Sequence, residues 1–509
     1  MSARLLFAAL VAALTLSVVA APALAATPPR TSPKLKLSTK TTSTTDANGV
    51  QHIHYSYGPV HIAPGQNSIF FEANKLKPAV NGYITRFAPN LIRADGSIPR
   101  VDEIHLHHAV WLVNGYQPTF GAGEEKTTYA TPAGYGYRYR ASDRWTMNHM
   151  IHDLGPDPDV VYITYDIDFV PDTAPGASSL IPVRTQWLDV VGGLYPVFDA
   201  IKGKGHGSAK KRRFTYPEDN PTAPRNSWLI TKKVTLVGTA GHLHPGGLYT
   251  DMNVTRNGVT KRLFRSVAKY WEPAGAVSWD VSMTATPPDW KINLSPGDRV
   301  SINATYDTSK ASWYESMGIM ATQVADGWHG VDPFTQSYPT TGQVTHGPLA
   351  ENRNHGGAVS GLPNPVKILD GPVASGKQVA IKDFLYGKGN LTGLGAGNRV
   401  PTVRQGGSIT FRNDDAPPGK TEVGQPRGGD LPIYHTITAC KSPCNRTTGI
   451  AYPLANGAGN YDSGELGYGQ APAAGRNTWA TPATLKPGTY TYFCRVHPFM
   501  RGAFRVIKG

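Results

Sequence analysis

A short segment near the C-terminus combines three residue types that bind soft metal ions. Cys494 follows the alternating residues 489–493, and His497 and Met500 come within the next six positions. A second imidazole is available upstream at His435. One thiolate, two imidazoles and a weak thioether form the donor set of a type 1, electron-transfer copper site. The segment therefore predicts a strand that delivers the thiolate and a tight loop that returns the other ligands to it.

This ligand loop resembles that of amicyanin, a small cupredoxin. It reads Cys-Arg-Val-His-Pro-Phe-Met-Arg-Gly. The resemblance covers about residues 378–509 and implies a Greek-key cupredoxin sandwich with a single type 1 copper. The implied ligands are His435, Cys494, His497 and Met500. The stretch between the first two ligands is longer than in small cupredoxins.

Histidines also cluster in two earlier segments of the chain. His242 and His244 alternate along a predicted strand, so their side chains share a face and can chelate one metal ion. The other cluster occupies residues 105–108, in which only Leu106 is not histidine. Its adjacent pair, residues 107 and 108, needs a β-bulge or an irregular strand end to converge on one ion.

These clusters resemble the copper sites of the copper type II, ascorbate-dependent monooxygenases, which include peptidylglycine alpha-hydroxylating monooxygenase and dopamine beta-monooxygenase. The resemblance spans about residues 50–345 and implies two jelly-roll β-sandwich domains, each with one type 2-like copper. In the second domain, His242, His244 and Met317 match the catalytic copper that activates oxygen. Met320 is the alternative thioether ligand.

The first copper site of that family transfers electrons and takes two adjacent histidines, which His107 and His108 match. Its third histidine lies on a later strand, but the comparable strand here, residues 162–169, has none. The predicted third ligand is His152, with His149 as the alternative. The disulfides of the animal enzymes are also missing, because no cysteine lies in this part of the chain.

The remaining pattern predicts an all-β protein. Strict alternation of apolar and polar residues marks residues 161–169 and 300–306 as strands, and no helical period is evident. With 55 glycines and 42 prolines, the chain is rich in turn-forming residues. The predicted divisions are a signal peptide (1–25), a flexible lead-in (26–48), a first jelly roll (49–185), a second jelly roll (186–350), a linker (351–377) and a cupredoxin domain (378–509).

The N-terminus has the pattern of a secretory signal. Arg4 precedes an apolar segment, residues 5–19, and a small-residue cleavage site follows at residues 23–25. No other apolar run is long enough to span a bilayer. We therefore expect a secreted or periplasmic protein without stable membrane insertion. Cys440 and Cys444 could form a disulfide in that environment or remain free thiols.

The net charge of +14 does not indicate a nucleic-acid partner. Much of it lies in one basic stretch, residues 202–213, which is typical of a solvated loop. Several histidines are expected to be ordinary surface or core residues: His52, His54, His61, His206 and His329. For His346 and His355, a structural role and a place on an electron path are both open.

Together these patterns predict an exported copper-dependent monooxygenase that hydroxylates an aliphatic C–H bond with O2. Its partners would be a small-molecule or peptide-like organic substrate and an external electron donor, either ascorbate or a redox protein. The alternative is a non-catalytic copper-binding or electron-transfer protein. A multicopper oxidase is a weaker match, because Cys494 lacks the flanking histidines that such enzymes use.

Overall fold

The structure is a computed structural model, and it describes most of the chain outside the N-terminus. The described residues are 40–62, 69–101, 103–115, 117–154, 157–192, 196–271, 280–309, 311–351, 353, 355, 364–367, 369–373, 378–391, 399–416, 433–440, 444, 461–467, 476–497 and 499–509. The predicted signal peptide lies outside them. Among the described residues no helix has the length and hydrophobicity needed to cross a bilayer.

The prediction of an all-β protein is confirmed. The described residues form strands joined by turns and three short 3-10 helices (Ala177–Ser179, Ala209–Lys211 and Gly387–Gly389), with no α-helix among them. The alternation in residues 161–169 has the expected effect, because Ile163, Tyr165 and Ile167 are fully buried while Asp166 is exposed.

The first sandwich packs a sheet in the order β1-β2-β10-β4-β8 against a sheet in the order β3-β9-β5-β6. Aromatic rings fill the space between the sheets, with Phe87 stacked on both Phe120 and Tyr165. The strands are β1 (Lys40–Thr45), β2 (Gln51–Ile62), β3 (Phe70–Asn74), β4 (Gly82–Arg93), β5 (Ile104–Val113), β6 (Gln117–Ala122), β7 (Tyr129–Ala130), β8 (Tyr135–Tyr139), β9 (Trp145–Asp153) and β10 (Asp159–Pro171).

The second sandwich has two main ladders, β11-β22-β15-β19 and β17-β16-β20-β13. Its strands are β11 (Ile181–Asp189), β12 (Phe198–Ala200), β13 (Arg213–Tyr216), β14 (Trp228–Leu229), β15 (Val234–Leu243), β16 (Gly247–Arg256), β17 (Val259–Tyr270), β18 (Val281–Ala285), β19 (Ile292–Leu294), β20 (Arg299–Asp307), β21 (Trp313–Ser316), β22 (Gly318–Asp326) and β23 (Gln343–Thr345). β11 also pairs in parallel with β8, so a shared strand joins the two sandwiches.

The third sandwich packs a sheet in the order β24-β26-β31-β30-β28 with a three-stranded sheet, β25-β27-β29. Its strands are β24 (Leu369–Val373), β25 (Gln378–Ile381), β26 (Arg399–Arg404), β27 (Thr410–Asn413), β28 (Thr438–Cys440), β29 (Thr478–Ala480), β30 (Gly488–Phe493) and β31 (Arg501–Ile507). Cys440 and Cys444 form a disulfide, and both pack with Phe493 against the core of the second sandwich.

Three predicted divisions differ from the structure. Residues 40–45, placed in a flexible lead-in, form β1 because this threonine-rich segment pairs along β2. Residues 369–373, placed in the linker, form β24 and pair in parallel with β26. The predicted division after residue 185 falls inside β11, which pairs with strands of both sandwiches.

Candidate functional site

The thiol and two imidazoles predicted near the C-terminus converge on one point. Cys494 follows β30, His497 lies in the next loop, and His435 lies just before β28. The Cys494 sulfur is 3.9 Å from Nδ1 of His435 and 3.8 Å from Nδ1 of His497, and the two Nδ1 atoms are 3.2 Å apart. All three side chains are buried. The three donor atoms lie within 4.8 Å of one another, which is suitable for holding a metal ion.

Hydrogen bonds orient these donors. Nε2 of His435 donates to Asp415 at 2.9 Å, which leaves Nδ1 facing the thiol. The backbone N–H groups of Thr436 and His497 donate to the Cys494 sulfur, each at 3.3 Å. Burial disfavours the thiolate, but the interaction with His435 and these backbone bonds outweigh it and lower the pKa of Cys494. Burial also disfavours charge on His435, yet its bonds to Asp415 and Cys494 raise its pKa to about 9.

Met500 lies in the same loop. Its backbone N–H donates to the His497 carbonyl at 3.0 Å, and its carbonyl accepts from the Cys494 N–H at 3.3 Å. The Met500 side chain is fully buried. Backbone hydrogen bonds therefore close this loop, and the Met500 side chain packs in the same buried cluster as Cys494. Their chemistry, a thiol of lowered pKa with two Nδ1 donors, fits copper.

A β-bulge occurs where the adjacent histidines of the first sandwich required one. The register between β5 and β9 shifts between Leu106 and His108. As a result the Nδ1 atoms of His107 and His108 lie 3.5 Å apart. Nε2 of His108 bonds the Asn148 side chain at 3.2 Å, and Nδ1 of His105 bonds the Val101 carbonyl at 3.1 Å. These contacts fix the orientation of each ring.

In the second sandwich, His242 is the penultimate residue of β15 and His244 directly follows that strand, with their ring centroids 5.2 Å apart. The Tyr306 hydroxyl accepts from the backbone N–H groups of His244 and Met317, each at 3.1 Å, and donates to the Met317 carbonyl at 2.6 Å. Nδ1 of His244 donates to the Glu315 carbonyl at 2.6 Å. These hydrogen bonds thus connect the end of β15 to the segment that carries Met317.

The histidines of the two sandwiches meet at their boundary. The rings of His107 and His244 are only 4.6 Å apart, centroid to centroid. The resemblance to the monooxygenases implied two separate sites, but here the two sets are in contact. We refer to them as the histidine cluster, whose members are His105, His107, His108, His152, His242 and His244.

The structure separates the two candidates for the third ligand of the first site. The His152 ring lies 5.2 Å from that of His105 and 6.1 Å from that of His107. His149 instead lies beside Phe70, with Nε2 3.6 Å from Glu72. Within the described ranges, neither histidine completes a set of three donor atoms with residues 107 and 108 at the 4.8 Å spacing seen around Cys494.

The histidine cluster is unusual because so many ionisable groups are buried together. Burial lowers the pKa of His105 to about 3 and that of His108 to about 4. It also holds the pKa values of His107, His152 and His244 well below the ordinary range, and repulsion from neighbouring histidines adds to the effect. These rings are therefore neutral at pH 7, the form that binds metals.

The two candidate thioethers occupy different environments. Met317 lines a cavity of about 720 Å³ that also reaches His108 and His242. Met320 is fully buried and packs in the hydrophobic core of the second sandwich. The cavity therefore favours Met317 over its alternative.

Two acidic residues of this region were not predicted from the sequence. Glu125 lies 3.2 Å from Nδ1 of His242 and accepts a bond from the Gly123 backbone at 3.1 Å. Burial raises the pKa of Glu125, but His242 outweighs this and the net shift is downward. Asp415 contacts His435 in the same way, at the Cys494 site. Each of these two residues is the second of two adjacent acidic residues that follow a strand, β6 or β27. This pattern is the sequence signal that could have identified them.

The third sandwich contacts the histidine cluster through one of its own metal-site residues. The His497 ring lies 5.9 Å from the His152 ring. Nearby, Arg495 donates to the Ser312 carbonyl of the second sandwich at 2.9 Å and stacks over Trp313. The described residues thus form an uninterrupted series of imidazoles from the Cys494 site to the boundary of the first two sandwiches.

Most of the other histidines match their predicted ordinary roles. His52 and His54 project from β2 and pair across the sheet with Asp168 and Asp166, each at 2.7 Å. His206, in the basic stretch, is exposed and pairs with Asp219 at 2.9 Å. None of these contacts joins the histidine cluster.

Comparison with known proteins gives only distant similarities. No protein family matches the chain, and no curated protein does. Among solved structures, a copper-containing nitrite reductase from Thermus scotoductus aligns at 13% identity and a TM-score of 0.17, over 58% of this chain and 61% of the reductase. The VP2 subviral particle of infectious bursal disease virus aligns at 10% identity and a TM-score of 0.17, over 60% of this chain and 76% of VP2. These scores are too low to assign a function.

Proposed function

We propose that this chain is an exported copper-dependent monooxygenase that hydroxylates an aliphatic C–H bond of a small organic or peptide-like substrate. One atom of O2 would enter the substrate and the other would leave as water, using two electrons and two protons. The electrons would come from an external donor, either ascorbate or a redox protein. The third sandwich would receive them at a type 1 copper.

The observation that carries this proposal is the cavity beside the second histidine pair. Its wall includes His108, His242 and Met317, and its volume of about 720 Å³ is in the range of small-molecule sites. Apolar side chains such as Trp187 and Phe120 share the wall with polar ones such as Gln186. An aliphatic substrate could bind here with its reacting carbon facing the histidines.

The residues around the cavity have distinct tasks. Copper held by His242, His244 and Met317 would supply the one-electron chemistry that activates O2 towards a C–H bond. Tyr306 fixes the backbone that presents His244 and Met317. Glu125 holds the His242 ring and is placed to exchange a proton with it.

The series of imidazoles supports a relay between the domains. His497 contacts His152, His152 contacts His107, and His107 contacts His244. Each step joins rings whose centroids are 4.6–6.1 Å apart. A donor domain fused to the enzyme also has a high effective concentration at its acceptor.

Labelled dioxygen tests the proposal directly. The copper-loaded chain is incubated with a reductant and a panel of aliphatic and peptide-like substrates, and oxygen uptake and product mass are recorded. We expect one labelled oxygen atom per product molecule, lost in His242→Ala and retained in His329→Ala, a control at an exposed histidine. Three coppers per chain agree with the proposal, whereas a single copper and no product would indicate the non-catalytic carrier.

A second candidate is an oxidase that reduces O2 to two molecules of water, with four protons and with four electrons from the external donor, and without an organic oxygen acceptor. The 4.6 Å contact between His107 and His244 favours it, because the two pairs could hold neighbouring coppers in one centre. Oxygen uptake without label in any organic product would identify this activity.

A further inference from the structure

A second group of metal-binding side chains lies in the second sandwich, apart from the sites described above. Asp280 precedes β18, and His346 and His355 lie beyond β23. Asp280 Oδ1 is 3.4 Å from Nε2 of His346, and its Oδ2 is 2.6 Å from Nδ1 of His355. All three donor atoms lie within 4.8 Å of one another, the spacing found around Cys494.

The surroundings fix each of these side chains. Nδ1 of His346 bonds the Gly347 carbonyl at 2.9 Å, which directs Nε2 towards Asp280. The His355 ring stacks on Trp271, with centroids 4.7 Å apart and planes 17° apart. Asp280 is fully buried and the two histidines are mostly buried. Oriented imidazoles of this kind are typical of metal ligands rather than of surface ion pairs.

The first sandwich also contacts the segment that carries His346. The Gly347 N–H donates to the Glu125 carbonyl at 2.9 Å, and the Lys126 ammonium bonds the Pro348 carbonyl. The Glu124 carboxyl is 1% exposed and has no hydrogen-bond partner among the described residues. Burial, with repulsion from Glu125 and then Asp280, raises the pKa of Glu124 well above the ordinary range and favours the uncharged acid. A cation between the histidines would offset the buried negative charge of Asp280.

We propose that Asp280, His346 and His355 bind a divalent first-row transition-metal ion, separate from the copper centres of the proposed function. One carboxylate and two imidazoles suit Zn²⁺ and Fe²⁺, and these three described residues include no sulfur donor that would favour Cu⁺. The ion joins β18 to the segment that leads from the second sandwich towards the third. Its role is to fix that segment against the boundary of the first two sandwiches.

Zinc binding to the full-length, chelator-treated protein tests this site. Bound Zn²⁺ is counted by mass spectrometry after gel filtration, for the wild type, His355→Ala, Asp280→Asn and the control His329→Ala. We expect each of the first two variants to bind one Zn²⁺ fewer per chain than the wild type, and the control to match the wild type. Circular dichroism and the visible absorption of copper-loaded samples verify folding.

Thermal unfolding provides an independent measurement. Added Zn²⁺ should raise the Tm of the wild type and of His329→Ala by more than that of His355→Ala, because binding to the folded state stabilises it. If His355→Ala does not fold, Asp280→Asn decides the question, since the amide keeps the shape of the carboxylate. Equal zinc counts and equal Tm shifts in the wild type and the folded variant would overturn the proposal. The monooxygenase assay is not involved, so the two proposals can fail separately.

Discussion

Cys494 gives the chain its most distinctive chemistry, because a thiolate bound to Cu²⁺ absorbs strongly in the visible range. We expect Cys494→Ser to lose that absorption and one copper per chain while the histidine cluster keeps its metal. Met500→Leu is the matched control, since the weak axial ligand tunes the potential without being the source of the colour. Absorption spectra and copper counts of both variants check this. Colour that survives Cys494→Ser would show that the site is not type 1.

Tyr306 shows how one hydroxyl can position two ligands. Tyr306→Phe leaves the backbone groups of His244 and Met317 without their partner, at a cost of roughly 1–3 kcal/mol of folding free energy. We also expect copper to bind the second site about 10–100-fold more weakly, as for other changes next to metal ligands. Urea unfolding and copper titration measure the two effects.

Tyr338→Phe is the control for this variant. Its hydroxyl donates to the Arg262 carbonyl at the surface of the same sandwich, away from the histidines. Equal copper affinity in the two variants would mean that Tyr306 does not position the site.

The sequence predicted the ligands that belong to local patterns. The loop from Cys494 to Met500 places three donors within a few residues, and the strand period puts His242 and His244 on one face. Asp415 and Glu125 could not be assigned to their histidines, because each reaches its partner from a loop distant in sequence. Such contacts depend on tertiary packing, which cannot be predicted from the periodicity of the sequence.

At the scale of elements, the loop after β6 is packed tightly against the second sandwich. A Cβ atom on Gly123 would lie 2.5 Å from Cε1 of His242 and 2.6 Å from the Glu125 carboxylate. Gly123→Ala should therefore displace the His242 ring, cost about 1–3 kcal/mol of folding free energy and weaken metal binding. Gly488→Ala serves as the control, because its nearest new contact is 3.8 Å away. Unchanged stability and copper affinity in Gly123→Ala would contradict the packing described.

Elements with strong periodicity were the easiest to predict. The bulge at His107 followed from the need to converge two adjacent histidines, and the register shift between β5 and β9 supplies it. β1 and β24 were missed, because a short polar segment such as β1 and a short segment with Gly and Pro such as β24 become strands only when a neighbouring edge pairs with them. The contact between His107 and His244 also could not be predicted from local sequence patterns, because it joins residues of two different sandwiches.

At the scale of the whole molecule, the buried histidines predict a loss of stability in acid. His105 and His108 stay neutral in the folded state down to pKa values of about 3 and 4, whereas the unfolded chain takes up protons near pH 6.5. Stability therefore falls as the pH drops below about 6.5. Each histidine contributes roughly 1.4 kcal/mol per pH unit until its folded pKa is reached.

Urea unfolding of the chelator-treated protein at several pH values between 7.5 and 4 measures this dependence. Replacement of the buried His105 by Gln should reduce the slope by about one proton, whereas His61→Gln, at an exposed position, should leave it unchanged. A stability that is flat or rises towards acid would show that the cluster is not buried in its neutral form.

We propose that electrons pass from the Cys494 copper through the imidazoles to the histidine cluster. The most direct measurement is the recovery of visible absorption when the fully reduced, copper-loaded chain is mixed with O2. We expect fast recovery in the wild type and in His149→Phe, and recovery slower by at least an order of magnitude in His152→Phe and His244→Ala. Equal recovery rates in all four proteins would contradict it.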